Sequence, residues 1–416
     1  MTNVSIITIG DELLIGQVID TNSAWMAKEL NKAGMRVKRR VAVGDVWEEI
    51  WQALDEEAAQ ADVILLTGGL GPTADDITKP LLCKYFGGTL VQNQAALQNV
   101  THLFENIFKR PVTARNVKQA DVPDVCTVLQ NKRGTAPGML FYKGEKIFVS
   151  MPGVPHEMHG MMTDDVIPLL QSKFPAAHIT HRTLLTFGVG ESNLADLIQD
   201  FEEALPANIK LAYLPNYGMV RLRLTAQGAD AAATDATLNG LFEELQQRVQ
   251  PYLVTNEDIP MEKVLGKLLL QKNKTMATAE SCTGGYIAHL LTAMPGSSAF
   301  YEGSVVSYSN RVKSSVLSVS QQTLEVHGAV SEAVVIEMLQ GVLKTIGTDY
   351  AVAVSGIMGP DGGTESKPVG TVWIAVGNAE KHVTQKLHFR FNRQKNIQLT
   401  ALNALNNLRR FILENS

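Results

Sequence analysis

Val63-Ile64-Leu65-Leu66 runs directly into Thr67-Gly68-Gly69-Leu70-Gly71-Pro72-Thr73, with Asp75-Asp76 just beyond. A continuous apolar run that ends in glycines reads as a strand buried on both faces, the kind found inside parallel sheets. The flanking sequence agrees. Val4 to Ile9 reads as a strand, Asn22 to Leu30 as an amphipathic helix stopped near Gly34, and Val37 to Val43 as a second strand. A helix carrying Trp47, Ile50, Trp51 and Leu54 leads into the Val63 run, and downstream come a strand at Lys146 to Ser150 and a helix near Met158 to Leu170. Strand and helix alternating in this way predict a parallel sheet covered by helices. Phe174-Pro175-Ala176-Ala177 reads as a connector, so a first α/β domain is expected over 1–172.

The order changes between 178 and 255. A strand (Thr183 to Phe187), a helix (Ser192 to Ala204), two strands around Pro215-Asn216-Tyr217-Gly218 and an Ala-rich helix ending near Val249 describe a small α+β module. Over 260–416 the alternation resumes, with strands at Thr275 to Ala279, Ser304 to Tyr308, Tyr350 to Val354 and Thr371 to Val376, and a last helix from about Asn396. The expected fold class is therefore α/β: two three-layer domains joined by an α+β module.

The bulk properties narrow the function classes. At 416 residues the chain needs more than one core. Its 37 basic and 42 acidic residues give a formal charge of −5, which offers no general attraction to nucleic acid or anionic membranes. Cys83, Cys126 and Cys282 are too few and too scattered for a disulfide framework or a CxxC metal site. No apolar run approaches a membrane span or a signal region, so a cytoplasmic protein is expected.

In open α/β sheets ligands bind beyond the carboxyl ends of the strands. Three candidate strands end in Gly10-Asp11-Glu12, Gly44-Asp45 and the Gly68-Gly69-Leu70-Gly71 loop, and all three ends are expected to converge on one crevice. Glycines let a backbone approach a phosphate, and nearby carboxylates can hold a divalent cation. The plainer alternative is a tight turn whose aspartates cap the next helix. Neither G-x-G-x-x-G nor G-x-x-x-x-G-K-[ST] occurs.

Gly10-Asp11-Glu12-Leu13-Leu14-x-Gly16, the Thr67 to Thr73 stretch, Gly134-Thr135-Ala136-Pro137-Gly138 and Met151-Pro152-Gly153-Val154-Pro155-x-Glu157-Met158 together resemble the N-terminal domain of the CinA family. That domain is similar to molybdopterin-binding proteins. The resemblance implies metal-dependent ADP-ribose pyrophosphatase activity, with Gly68, Gly69, Gly71 and Thr73 on the nucleotide and Asp11, Asp45, Asp75 and Asp76 on a divalent metal.

In the last domain the strand Thr275 to Ala279 runs into Glu280-Ser281-Cys282-Thr283-Gly284-Gly285 and then a helix. Ser281 at a strand-to-helix turn is well placed for a nucleophile, and the helix amides are expected to stabilise negative charge there. No histidine motif lies near, so a Ser-His-Asp triad has no sequence support. Lys313 in Ser307-Tyr308-Ser309-Asn310-Arg311-Val312-Lys313 can act as base if desolvated or set near positive charge such as Arg311. A solvated surface lysine is the commoner case. The loop Ser355-Gly356-Ile357-Met358-Gly359-Pro360-Asp361-Gly362-Gly363 is rich in backbone donors; alternatively it is a long flexible turn.

These segments, with Gly328-Ala329-Val330-Ser331 and Lys367-Pro368-Val369-Gly370-Thr371-Val372-Trp373, closely resemble the bacterial nicotinamide-nucleotide amidohydrolase domain. The resemblance implies deamidation of nicotinamide mononucleotide without a cofactor, with Ser281 as nucleophile, Lys313 as general base and Tyr308 beside them. Substrate contacts are expected at Thr283, Gly284, Gly285, Ser355, Gly356, Gly359, Asp361, Gly362, Gly363 and Arg393. Where relatives often read Gly-Asp-Arg, this chain has Phe391-Asn392-Arg393.

The middle module resembles the KH-like domain of the same family. Its Gly188-Val189-Gly190-Glu191 lacks the G-x-x-G spacing that clamps RNA, so it is expected to be a spacer or dimer element in a homodimer that binds small nucleotides and neither nucleic acid nor membrane. Two rival classes stay open: a molybdopterin-type binding module without catalysis, and a competence-associated scaffold.

Overall fold

The computed structural model describes residues 2–73, 75–174, 178–216 and 218–415. They form two compact units, Met1–Thr180 with Thr225–Thr237, and His181–Leu224 with Leu238–Ser416.

In the first unit, strands β1 (Asn3–Ile9), β2 (Arg36–Val43) and β3 (Val63–Thr67) pair in parallel, with β1 in the middle. Two short strands, β4 (Leu90–Gln92) and β5 (Asp121–Pro123), form a separate antiparallel ribbon. The main sheet is completed by β6 (Thr127–Leu129), β7 (Gly138–Lys143) and β8 (Lys146–Met151), in the order β2-β1-β3-β8-β7-β6. β8 is parallel to β3, whereas β7 and β6 run antiparallel, so the sheet is mixed. Every residue of β3 is buried, because apolar side chains pack on both faces of the sheet. Met26 and Leu30 of the helix Thr21–Lys32 cover one face; Ile50 and Leu54 of the helix Trp47–Gln60 cover the other. Phe174 still packs against this core, and Pro175 to Ala177 of the expected connector lie outside the described residues.

Two further sheets follow along the chain. The first comprises β9 (His178–Phe187), β10 (Ile209–Asn216), β11 (Met219–Gly228) and β12 (Leu253–Thr255) in the order β10-β11-β9-β12. Tyr217 of the expected turn is outside the described residues. The helix expected over Ser192 to Ala204 is two helices, Glu191–Leu197 and Gln199–Glu203, parted at the buried Ile198.

The second sheet has β13 (Met276–Glu280), β14 (Tyr301–Val306), β15 (Tyr350–Gly356), β16 (Thr371–Gly377) and β17 (His382–His388), ordered β14-β13-β15-β16-β17. β13 is parallel to both neighbours, while β16 and β17 are antiparallel additions. The Glu332–Ile346 helix buries Val334, Val335, Met338, Leu339 and Val342 in the core on one face. The long helix Arg393–Glu414 and the helix Met261–Gln271 close the other. β14 starts earlier than Ser304 and stops at Val306, because its register with β13 runs from Met276↔Tyr301 to Glu280↔Val306; Tyr308 is thereby released into a loop. No helix among the described residues is long and apolar enough to cross a membrane.

Candidate active site and nucleotide crevice

The ends of β13, β14 and β15 lie side by side, and each delivers one wall of a cleft of about 280 Å³. Its lining includes Ser281, Tyr308, Asn310, Lys313, Ser355 and Arg393. The Ser281 amide continues the ladder to Val354 O (3.1 Å), which fixes the serine's backbone to the neighbouring strand.

Lys313 belongs to the helix Asn310–Leu317, whose N-cap Ser309 accepts a hydrogen bond from Val312 N. That helix turns the lysine inward, leaving it only 1% exposed. Its Nζ lies 2.9 Å from Ser281 Oγ and 2.8 Å from Ser307 O, with Tyr308 O at 3.5 Å. Burial holds its pKa below the ordinary 10.5. Arg311 is exposed and is not among the causes of that depression, so of the two causes expected from sequence it is desolvation that acts. A neutral amine has two hydrogens and one lone pair. If the amine is neutral and gives its hydrogens to the carbonyls of Ser307 and Tyr308, its lone pair is left for Ser281 Oγ, the orientation a base requires.

Tyr308 is 64% exposed at the mouth, and its hydroxyl accepts a hydrogen bond from Arg393 (3.0 Å), which also donates to Gly359 O (2.8 Å). One guanidinium thus ties the loop after β14 to the loop after β15. Ser355 is buried, and its hydroxyl donates to Ala329 O at 2.7 Å. Gly356, Asp361 and Gly362 join the lining; Gly359 and Gly363 lie outside it.

Thr283, Gly284 and Gly285 also lie outside this cleft and line a separate depression with Tyr286, His289, Gln394, Ile397 and Gln398. The helix that follows, Tyr286–Thr292, does not offer its first amides to a ligand as expected: Gly285 N, Ile287 N and Ala288 N all donate to the Glu280 carboxylate. Cys282, the neighbouring sulfur, is buried, and desolvation pushes its thiol up to about 12. It is therefore a poor rival nucleophile.

In the first unit the ends of β1, β2, β3 and β8 do meet, around a crevice of about 430 Å³ lined by Gly10, Glu12, Asp45, Gly68, Gly69, Gly71, Asp75, Asp76 and Glu157 among others. Gly68 and Gly69 have φ of +114° and +65°; a side chain on Gly68 would strike Ile9 O and one on Gly69 would strike Thr78 Oγ1. Only glycine lets the loop lie this close to β1. Asp76 accepts from Gly71 N (2.7 Å), Thr73 N (2.8 Å) and the Thr73 hydroxyl (2.5 Å). It organises the loop before it and does not cap the next helix, Thr78–Tyr85, whose N-cap is Ile77 with no side-chain bond. Asp11 and Asp45 accept reciprocally from each other's amides, both at 3.2 Å. Asp45 is pushed above the usual carboxylate range by partial burial, aided by Asp11, Glu12 and Asp75.

The carboxylates expected to hold a metal are not gathered as ligands. Among the described residues no three His, Cys, Asp or Glu side chains form a group that could hold an ion, and Asp76 is committed to its own loop. Glu157, not anticipated as a site residue, sits in the crevice wall with its carboxyl raised by burial and bonded at 2.5 Å by Asn131 Nδ2.

Three family models cover nearly all of the chain: "Probable molybdopterin binding domain" over 5–172, "Damage-inducible protein CinA KH domain" over 181–255, and "CinA C-terminal domain" over 258–412. A CinA-like protein of Cytophaga hutchinsonii is 47% identical over 98% of both chains. The chain belongs to the CinA family. A CinA-like protein of Flavobacterium psychrophilum is 44% identical over 99% of both chains, so all three segments of the family are present in order. Among solved structures, the competence damage-inducible protein A from Klebsiella pneumoniae is 37% identical, covering 38% of this chain and 97% of that one, with a TM-score of 0.37. At Phe391-Asn392-Arg393 the guanidinium lies in the cleft wall, and Asn392 caps the last helix through Lys395 N.

Proposed function

We propose that the second unit hydrolyses the carboxamide of nicotinamide mononucleotide, releasing ammonia and nicotinate mononucleotide. The observation that carries this reading is the buried Lys313 amine 2.9 Å from Ser281 Oγ. Neutral Lys313 takes the serine proton as Oγ attacks the carboxamide carbon, which the pyridinium ring makes electron-poor. The tetrahedral adduct collapses with cleavage of C–N, and the Lys313 ammonium protonates the leaving nitrogen to give ammonia. Water then attacks the acyl-serine, Lys313 accepts its proton, and that proton returns to Ser281 Oγ as the acid departs. Arg393 offers the cleft a cation suited to a phosphate. Ammonia release from nicotinamide mononucleotide by the purified chain, matched by nicotinate mononucleotide, is the test; no release above a Ser281→Ala control returns the chain to the scaffold reading.

We propose for the first unit that its glycine-lined crevice takes the phosphates of a nucleotide such as ADP-ribose. The open Gly68 to Gly71 backbone at four converging strand ends supports this. Among the described residues the carboxylates form no group that could hold a metal, so the proposal for this crevice is binding. Calorimetric titration with ADP-ribose, with and without magnesium, and assay for cleavage to AMP and ribose 5-phosphate separate binding from pyrophosphatase action.

A further inference from the structure

Glu280 precedes Ser281 and is fully buried, yet its partners among the described residues are hydroxyls and backbone amides, with no cation among them. A buried carboxylate without a counter-ion needs dense hydrogen bonding to stay in place. Glu280 has that bonding. Its Oε2 accepts from Thr283 Oγ1 (2.7 Å), Ile287 N (3.0 Å) and Gly285 N (3.1 Å); its Oε1 accepts from Ala288 N (2.8 Å), with Thr278 Oγ1 at 3.2 Å. All of these donors except Thr278 lie within eight residues after it, so the carboxylate closes the chain into a loop with Ser281 and Cys282 on the span between.

The backbone on the other side is fixed as well. Ser281 N bonds Val354 O on β15, and Ser307 N bonds Glu280 O on the β14 side. The Thr278 hydroxyl, at 2.9 Å from both Tyr301 Oη and Ser304 Oγ, links the carboxylate to β14. The backbone that sets the height of Ser281 Oγ relative to Lys313 is therefore held by the strand ladder, by the turn bond from Gly284 N to Ser281 O (3.2 Å) and by Glu280.

We infer that Glu280 is a positioning residue for the nucleophile: its carboxylate takes up the first amides of the Tyr286–Thr292 helix and so holds the turn at which Ser281 meets Lys313. The inference rests on the Ser281 and Lys313 reading above. It also explains why these helix amides do not serve as the anion site for a substrate, since an internal carboxylate already occupies them.

Glu280→Gln is the sharp test, because it keeps the shape and removes the charge. Each carboxylate oxygen accepts at least one backbone N–H, so whichever way the amide is turned its NH2 group faces a donor and the turn must shift. Misplacing a reacting group by about 1 Å costs on the order of 10²-fold in rate. The expected result is a kcat for ammonia release lowered about 10- to 100-fold, with KM within about twofold, measured well below the melting temperature and normalised to folded protein. Labelling of Ser281 by a fluorophosphonate, followed by intact mass, should slow in parallel; this arm does not depend on the identity of the substrate. Thr283→Val, which removes one donor and leaves the carboxylate, should lower kcat only a few-fold and covers the case in which Glu280→Gln fails to fold.

A folded Glu280→Gln protein with wild-type kcat and wild-type labelling overturns the inference. So does a Thr283→Val protein with wild-type kcat and labelling when the glutamine variant does not fold. If wild type releases no ammonia yet Ser281 is labelled, the amidase reading fails and the labelling rates alone decide the role of Glu280. If wild-type Ser281 takes no label, the turn presents no nucleophile and the inference falls with it.

Discussion

The two clefts lie at the same kind of place, beyond the carboxyl ends of parallel strands, yet they are built from different materials. In the first unit the polar side chains face their own backbone: Asp11 and Asp45 bond each other's amides, and Asp76 bonds the loop that carries it. The space left is walled by glycine backbone and suits a ligand that brings its own charge. In the second unit one side-chain pair, Ser281 and Lys313, meets in a buried contact that neither residue's own loop uses up, and the proposed function places nucleophile and base there. The lesson is that a shared topology fixes where a ligand sits, whereas the chemistry depends on whether side chains are spent on the loop or left for the reaction.

The strongest way to break this contrast is Ser281→Ala. It should lower ammonia release by roughly 10³-fold or more while leaving the melting temperature near that of wild type, because only the attacking hydroxyl is lost. Cys282→Ala should keep most of the activity. The opposite pattern would move the nucleophile to the sulfur.

Lys313 comes next. Lys313→Arg should lower kcat by about 10²- to 10⁴-fold, since a guanidinium cannot give up its proton at working pH. In wild type, kcat/KM should rise with pH through the depressed lysine pKa and then level off. Stability follows the same linkage: between the folded pKa and the ordinary 10.5 the unfolded chain binds more protons, so wild-type stability rises with pH across that window. Lys313→Met should lack this rise, and its stability relative to wild type should be greatest below the window. Denaturant titrations at several pH values check it.

A smaller effect belongs to the first unit. Gly68→Ala places a side chain at φ +114° and against Ile9 O, which should cost on the order of 1–3 kcal/mol from the backbone conformation alone. Ammonia release per folded molecule should be unchanged if the two clefts work separately. Smallest is Asp76→Ala: losing the bonds to Gly71 and Thr73 should cost about 1 kcal/mol and weaken ADP-ribose binding, as calorimetry would show.

What the sequence revealed follows the strength of the local signal. β3 and β13 are apolar or small-residue strands ending at a distinctive turn, and both were legible with their loops. β17, His-Val-Thr-Gln-Lys-Leu-His, escaped because it is a half-exposed edge strand with no apolar run. The β6–β7 hairpin was missed too, its first strand having only three residues. In the sites, the convergence of strand ends and the pairing of Ser281 with Lys313 were readable from spacing and resemblance. The partners of each carboxylate were not. Nothing in Glu280-Ser281-Cys282 says that the glutamate turns inward onto backbone amides, nor do Asp11 and Asp45 announce that they bond each other, because such bonds depend on loop paths that only tertiary structure fixes.

The position of β13 inside its sheet has a consequence for how such a protein can diversify. With a parallel neighbour on each side, and with Ser281 N and Glu280 O continuing the two ladders, Ser281 cannot be displaced by drift in one flanking loop. The segment from Ile357 to Gly370 is different: it is pinned at its two ends by Ile357 N to Thr371 O and Gly370 N to Ile357 O, and its interior is largely exposed. Insertions and substitutions accumulate in segments of this kind. On the proposed function, selection can therefore reshape which ligand passes Arg393 and Asp361 while the contact between Ser281 and Lys313 stays as it is, so that substrate range and catalytic power would be inherited as separate traits.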